Sequence, residues 1–171
     1  KKAEEDLIAS SERLRLATTS VEMGIYDWDI VNDKLAWDDK MYEIYGVEKE
    51  NFSGALDAWQ KGLHPDDFDK ANKDLNDALA GFCDFNTVFR VIWPDNSIHF
   101  IEGRGIISRD NEGNAIRMIG SNIDVTDKQN AQIEVLKTKN QIEVSEAKFK
   151  SYTEKSPVAI YTTDVNGDCN Y

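Results

Sequence analysis

The sequence predicts an α+β domain, in which a five-stranded antiparallel sheet carries helices on one face. Three observations lead to this prediction. Apolar residues alternate with a period of two near the start of the chain and again in three runs between residues 85 and 125. Helical patterns fill residues 39–80, between these two groups of strands. Short turns join strands that follow one another directly, which indicates hairpins and therefore antiparallel pairing.

The composition excludes several classes of partner. The 171 residues include 20 basic and 32 acidic side chains, which gives a formal charge of −12. This charge argues against binding of nucleic acid or an anionic membrane, because phosphate groups are bound by basic surfaces. No apolar run approaches the roughly 20 residues that span a bilayer. Cys83 and Cys169 stand far apart and are predicted to be free thiols, as expected in a reducing cytoplasm.

Residues 1–20 are predicted to form an amphipathic helix. Leu7, Leu14 and Val21 recur every seven residues, which is the spacing of a coiled-coil seam. Such a seam pairs two copies of the chain or docks the helix on its own domain, and both alternatives stay open.

A hairpin and a helical segment follow. Residues 24–30 alternate as a strand should, and a polar turn separates them from a short second strand at 35–37. Short helical pieces then lead to the clearest helix, which the sequence predicts from Pro65 to Gly81. Proline is favoured at the first helical position, and glycine is common just after the last one.

Three further strands are predicted at residues 85–93, 97–108 and 115–125. In the first of them, one face carries Phe85, Thr87, Phe89, Val91 and Trp93. Its opposite face carries Val88 and Ile92, and the helices of the middle segment can cover only one face. We therefore expect the other face to be covered by the N-terminal helix or by a second subunit. The predicted homodimer surface combines Leu7, Leu14, Val21, Val88 and Ile92.

The composition changes after Thr126. Residues 127–147 are predicted to be a helical linker, in which Val135, Ile142 and Phe149 continue a weak coiled-coil seam at seven-residue spacing into the next segment. Residues 148–171 then repeat the order of helix, apolar strand and Asp-containing turn found near the start of the chain. This repetition predicts the N-terminal fragment of a second domain of the same kind.

Residue motifs within these elements resemble a PAS domain of the bacterial and archaeal sensor type. The motifs are Gly24-Ile25-Tyr26-Asp27-Trp28-Asp29, Trp37-Asp38-Asp39, His64-Pro65-Asp66-Asp67, Phe89-Arg90-Val91, and Gly120 ahead of Asp124-Val125-Thr126. The resemblance covers residues 21–126 and implies a PAS fold flanked by signalling helices. It departs from the family pattern at the turn Pro94-Asp95-Asn96-Ser97, and at Val88, where an acidic residue is common.

The resemblance implies a regulatory module that senses or relays a signal, forms a homodimer and controls other domains of the same parent chain. The implied output is first a sensor histidine kinase of a two-component system and second a diguanylate cyclase. A receptor for a small molecule is a further alternative. The segment has no nucleotide-binding loop and no nucleophile elbow, so we do not expect it to be an enzyme itself.

The motif Asp124-Val125-Thr126 resembles the Asp-x-Thr relay of PAS domains. Thr126, or Asp127 beside it, is predicted to cap the helix that follows by accepting a hydrogen bond from a free backbone N–H. Asp124 is predicted to bond to the hairpin around Trp28 and Asp29, which would tie the sheet to the outgoing helix. Capping without any relay role is the alternative.

The space between the sheet and the helices is predicted to be either a packed core or a ligand pocket. The candidate lining residues are Tyr42, Trp59, Phe89, Val91, Ile101 and Met118. No cofactor is expected. Neither cysteine lies in the Asn-Cys-Arg type of helical turn that light-sensing flavin domains use. His64 is expected to cap a helix and His99 to lie in a strand, so neither is assigned to haem, and the spacing of ligands predicts no metal site.

Overall fold

The computed structural model describes residues 21–155 without a gap, together with parts of both termini. Before Val21 the described residues are helical, namely Lys2, Asp6, 9–13, Leu16 and Thr18. After Lys155 they are two short antiparallel strands. Leu7 and Leu14 of the predicted seam lie outside the described residues, as does most of the strand and turn predicted within residues 148–171.

The order of elements is that of the predicted α+β fold, which is confirmed. The elements are β1 (Gly24–Asp29), β2 (Lys34–Trp37), α1 (Asp39–Tyr45), a 3-10 turn (Lys49–Asn51), α2 (Leu56–Gly62), α3 (Pro65–Leu79), β3 (Phe85–Ile92), β4 (Ile98–Arg109), β5 (Ala115–Asp124), α4 (Thr126–Lys155), β6 (Thr162–Thr163) and β7 (Cys169–Asn170). Val21 lies in a turn before β1 and is 51% exposed, so it does not continue a helical seam. The chain leaves the helical conformation there, since Glu22 has a φ of +50°.

Strands β1 to β5 form one antiparallel sheet in the order β2-β1-β5-β4-β3. The first hairpin therefore joins the later strands through the pairing of β1 with β5. In this register Gly24 lies opposite Asn122, and Asp29 lies opposite Arg117. The beginning of β1 thus meets the end of β5, where the chain leaves the sheet.

The core lies between the sheet and helices α1 to α3. Strand β3 alternates as the sequence predicts, with Phe85, Thr87, Phe89 and Val91 buried. On its other face Val88 is 40% exposed and Ile92 is 37% exposed.

Glycines at the centre of the sheet make room for a buried tyrosine. Gly105 and Gly120 are opposite each other on β4 and β5, and Tyr26 of β1 lies over both. A Cβ atom at Gly120 would stand 2.1 Å from the carbonyl oxygen of Arg104 and 2.3 Å from the Tyr26 hydroxyl oxygen. That hydroxyl donates a hydrogen bond of 3.0 Å to the Arg104 carbonyl, and burial raises its pKa.

Helix α3 begins as its sequence predicts. His64 is the capping residue, and its Nδ1 accepts a hydrogen bond of 3.2 Å from the backbone N–H of Asp66. Pro65 follows at the first helical position, where its missing N–H has no intrahelical partner to lose. The helix ends at Leu79, and the Arg109 guanidinium donates to the carbonyls of Ala78 and Leu79.

The chain divides into two compact units, Lys1–Thr126 and Asp127–Tyr171. In the second unit, the predicted seam residues Val135, Ile142 and Phe149 are 67%, 53% and 55% exposed. Among the residues that the structure describes, no helix combines the length and the apolar character needed to cross a membrane.

Candidate functional site

The end of β5 and the first residue of α4 are tied to β4 by side-chain hydrogen bonds. The Oγ1 atom of Thr126 accepts a bond of 2.9 Å from the backbone N–H of Phe100. The Oδ1 atom of Asp124 accepts a bond of 2.8 Å from the backbone N–H of Thr126 and a second bond from its hydroxyl. The start of the helix is therefore attached both to the strand before it and to the neighbouring strand.

These bonds correct the predicted capping role of Thr126. Thr126 is itself the first residue of the helix, so it does not stand in the capping position before it. Its hydroxyl oxygen accepts a hydrogen bond from the amide of Phe100 in β4 and not from an amide of the helix. Asp124 takes the capping role instead, since it accepts the first N–H of the helix.

The predicted contact between Asp124 and the first hairpin is wrong. Trp28 lies opposite Met118 and Asp29 opposite Arg117, so both stand at the far end of β5 from Asp124. Each has a local partner in the hairpin turn: the indole N–H of Trp28 donates to Asp33, and the carboxylate of Asp29 accepts from Asn32.

The residue that Asp124 does contact is His99 of β4. Its Nδ1 lies 2.8 Å from Oδ2 of Asp124, and its Nε2 lies 3.1 Å from Oγ of Ser97. The Ser97 hydroxyl in turn donates a bond of 2.6 Å to Asp95. We call these linked residues, Asp95, Ser97, His99, Asp124 and Thr126, the His99 network.

Sequence reasoning placed His99 in a strand but missed its connections. A signal was present, because an Asp side chain in a turn commonly accepts hydrogen bonds from the residue two positions on, as Asp95 does from Ser97. The partner at Asp124 could not be found in this way, since it depends on how β4 pairs with β5.

Both carboxylates of the His99 network are held ionised. Burial alone would raise the pKa of Asp124, but hydrogen bonds from Thr126 and His99 outweigh it and lower the pKa below the ordinary value. The pKa of Asp95 is lowered mainly by hydrogen bonds from Ser97, with a smaller effect of His99. Both groups therefore act only as hydrogen-bond acceptors near neutral pH.

Trp93 connects the His99 network to the helical layer. Its ring stacks on the His99 imidazole, with the ring centres 3.9 Å apart and the planes at 10°. Its indole N–H donates a bond of 3.0 Å to the carbonyl of Ile44 in α1. Gly46, just after α1, has a φ of +62°, and a Cβ there would stand 2.7 Å from the Trp93 ring. The end of α1 therefore lies close to the Trp93 ring, with no room for a side chain between them.

A second polar cluster joins helix α3 to β3, the strand at one edge of the sheet. The Asp67 carboxylate accepts from the backbone N–H of Arg90 at 2.7 Å and from its guanidinium at 2.9 and 2.7 Å. The backbone N–H of His64 donates to the Arg90 carbonyl at 2.8 Å. Because β3 is an edge strand, these bonds satisfy backbone groups that no neighbouring strand reaches.

The space between the sheet and the helices is almost filled. A cavity of about 40 Å³ remains there. It is lined by Tyr26, Trp28, Leu35, Trp37, Met41, Leu56, Trp59, Leu75, Phe85, Phe89, Met118 and Asn122. Pockets for small-molecule ligands usually measure roughly 300–1,000 Å³, whereas a water needs only about 10–15 Å³. In this conformation the cavity has room for water and not for a flavin, a haem or a metabolite.

Only half of the predicted pocket residues line this cavity. Trp59, Phe89 and Met118 do. Val91 and Ile101 are fully buried in the packed core instead. Tyr42 lies further out, where it makes edge contacts with the rings of Trp37 and Phe52.

One polar side chain of the cavity is incompletely paired. Asn122 is 3% exposed, and its amide N–H donates a bond of 2.8 Å to the Tyr45 hydroxyl. Its Oδ1 atom has no hydrogen-bond partner among the residues that the structure describes. Burial raises the pKa of Tyr45 well above its usual range, so that hydroxyl stays neutral.

The chain is similar to parts of proteins of two kinds, diguanylate cyclases and a histidine kinase. The probable diguanylate cyclase DgcE of Escherichia coli K12 is 26% identical over 139 residues, which are 78% of this chain and 12% of that protein. A sensory box histidine kinase/response regulator from Burkholderia thailandensis superposes with a TM-score of 0.68 at 21% identity, over 77% of this chain and 98% of that one. The N-terminal domain of a diguanylate cyclase with PAS/PAC sensor from Marinobacter aquaeolei gives a TM-score of 0.56 at 16% identity, over 63% and 98%.

The family itself is established by a match that runs from β2 into β5. Residues 34–122 match the family model described as the PAS fold, and this range is more than half of the chain. The match begins at β2 and ends at Asn122, so it contains the Asp67–Arg90 cluster and all the cavity-lining residues except Tyr26 and Trp28 of β1. The chain belongs to the PAS family.

Proposed function

We propose that this chain is a signal-relay module of a larger signalling protein. The observation that carries the proposal is the set of bonds from Asp124 and Thr126 to β4. Because the Phe100 amide is bonded to Thr126, any shift of β4 along its axis must move the first turn of α4 or break that bond. A junction that switched between this bonded state and a broken one would supply the two discrete arrangements that a relay requires.

The filled core supports relay rather than reception of a small molecule. A receptor of this fold would need a cavity several times larger than the one present. The receptor alternative makes a distinct prediction, since a ligand that binds only the folded state raises the melting temperature.

The test of the relay is Asp124→Ala in the full-length protein. We expect this variant to fold and to keep its basal output, while the output no longer responds to the stimulus. The matched control is Asp110→Ala, because Asp110 also accepts several local bonds in a turn, but this turn precedes β5, whereas Asp124 stands at the other end of that strand. A normal response in Asp124→Ala would mean that these bonds only cap the helix.

We propose a sensor histidine kinase as the controlled output, with a diguanylate cyclase as the second candidate. The fold likeness to a histidine kinase domain supports the first, and the sequence likeness to DgcE supports the second. Incubation of the full-length protein with labelled ATP and, separately, with GTP distinguishes them. Phosphohistidine supports the kinase, and a cyclic dinucleotide overturns it in favour of the cyclase.

We further propose that the module acts as a homodimer through the outer face of the sheet. Besides Val88 and Ile92, this face exposes Ile98, Ile106 and Ile119, which lie opposite one another or on adjacent strands. These residues include two apolar pairs, Ile92 with Ile98 and Ile106 with Ile119, and the ion-paired Glu102 and Arg104 lie between the two pairs on β4. Exposed apolar residues bordered by charged ones are typical of an interface.

Sedimentation of the wild-type chain, Val88→Asp and Asn86→Asp tests the interface. Asn86 is exposed on the same face of the same strand, so its variant adds the same charge at a polar position. We expect only Val88→Asp to dissociate the dimer. A wild-type monomer at high micromolar concentration, or dissociation by neither variant, contradicts the proposal.

A further inference from the structure

Both ring nitrogens of His99 face hydrogen-bond acceptors. Nδ1 lies 2.8 Å from an oxygen of Asp124, and an ionised carboxylate has no proton to donate. Nδ1 must therefore carry the proton of this bond.

The second nitrogen is assigned by counting the protons of Ser97. The serine hydroxyl has one proton, which it donates to the Asp95 carboxylate at 2.6 Å. Toward His99 the Ser97 oxygen is then an acceptor, at 3.1 Å from Nε2. Nε2 must therefore also carry a proton, and the His99 ring in this arrangement is an imidazolium cation. Its stacking on the face of Trp93 suits a cation, because the aromatic face is electron-rich.

We propose that the protonation state of His99 regulates the junction between the sheet and α4. In the charged state one continuous chain of bonds runs from the turn before β4, through Ser97 and His99, to Asp124 and Thr126. When Nε2 loses its proton to solvent, the neutral ring keeps its bond to Asp124, but Nε2 becomes an acceptor. The Ser97 hydroxyl must then turn from Asp95 to the ring, or its bond to the ring breaks. This inference rests on the proposed relay through Asp124 and Thr126.

Charged groups of both signs surround the ring. Asp124 faces it from the end of β5 and Asp95 from the preceding turn. On the side of α1, Lys40 interacts with Asp124 and opposes the cation, but it is itself paired with Glu43 at 2.9 Å and interacts with Glu22. The ring is partly accessible, with 20% of the His99 side chain exposed, so protons can exchange with solvent.

The experiment is an NMR titration of the 171-residue chain from pH 5 to pH 8, the range in which histidine side chains usually change charge. The ¹⁵N signals of both histidine rings are followed together with the backbone amide signals of Ser97, Phe100 and Thr126. We expect the three amides to shift with the same midpoint as the His99 ring. His64 is the internal control, because it lies at the start of α3, and its titration should leave these amides unmoved.

The decisive variant is His99→Asn, which keeps an amide donor near the position of Nδ1 but does not titrate. We expect the pH-dependent shifts of Phe100 and Thr126 to disappear in it and to persist in His64→Gln. The wild-type midpoints test the inference without any substitution. The role of His99 is overturned if the amide signals do not shift with the midpoint of the His99 ring, or if they still shift with pH in His99→Asn. An output that Asp124→Ala leaves responsive overturns the relay itself, so the two failures are distinguishable.

Discussion

Removal of the Asp67 carboxylate should loosen the attachment of α3 to the edge strand β3. Asp67→Ala deletes three hydrogen bonds to Arg90, one from the backbone and two from the guanidinium. The neighbouring Asp66 is the matched control. It also lies in the first turn of α3, but its carboxylate is 3.6 Å from the guanidinium and its side chain is 73% exposed.

The magnitude follows from these contacts. The backbone N–H of Arg90 loses its partner at the sheet edge, which costs about 1–1.5 kcal/mol where water can partly replace it. The ion pair is partly screened, since the two side chains are 21% and 28% exposed, and contributes roughly 0.5–1 kcal/mol. Loss of a favourable charge at the helix N-terminus affects both variants and cancels. We therefore expect Asp67→Ala to lower the free energy of unfolding by about 2 kcal/mol more than Asp66→Ala does.

Urea unfolding at several pH values measures this difference. Bonds from Arg90 lower the pKa of Asp67, so its contribution is complete above the ordinary aspartate pKa and is lost as pH falls through the lower, folded-state value. The difference between the variants should be constant from about pH 8 to pH 5 and should shrink below about pH 4. Equal destabilisation by both variants at pH 7 would refute the reasoning, as would a difference that grows in acid.

Three further substitutions test the core and the junction. Gly120→Ala should destabilise the domain by more than about 2 kcal/mol, because the new methyl would collide with the backbone carbonyl of Arg104. Thermal unfolding compares it with Ser121→Ala on the same strand, which should cost less than about 1 kcal/mol. Tyr45→Phe should lower the free energy of unfolding by about 1–3 kcal/mol, because it leaves the Asn122 side chain without a hydrogen-bond partner, and a second substitution, Asn122→Leu, should recover most of that loss. A double-mutant cycle measures the recovery, and additive losses would contradict the reasoning. Thr126→Val should cost about 1 kcal/mol by leaving the Phe100 N–H without its acceptor, and Thr126→Ser should be close to wild type; hydrogen exchange at Phe100 reports whether that amide is released.

The elements of this fold could be predicted because their signals are local. In β3, Phe89 and Val91 alternate with exposed positions since one face of the strand meets the helices and the other does not. Pro65 and the acidic first turn indicate where helix α3 begins, and both act within a few residues of its N-terminus. Signals of this kind need no knowledge of what lies across the sheet.

The contacts of the candidate site could not be predicted in the same way because they depend on register. The expected partners of Asp124 were Trp28 and Asp29, yet six positions of β5 separate Asp124 from Met118, the residue opposite Trp28. At about 3.3 Å per residue the error amounts to roughly 20 Å. Half of the residues predicted to line the cavity do not line it, for a related reason. Burial alone does not distinguish an inward side chain that packs against other side chains, such as Val91, from one that borders a cavity.

A nearly filled core has a consequence for how this domain can respond to a signal. In this conformation the cavity of about 40 Å³ is smaller than the pockets that small-molecule ligands usually occupy, and close-packed interiors transmit displacement instead of absorbing it. The bonds that can change at low cost are the partly exposed ones of the His99 network, whose charged groups solvent can partly satisfy. Trp93 connects that network to the carbonyl of Ile44 in α1. A perturbation at the end of α1 or in the turn before β4 can therefore reach Thr126 through rings and hydrogen bonds alone, which is the route we expect a relay without an internal ligand to use.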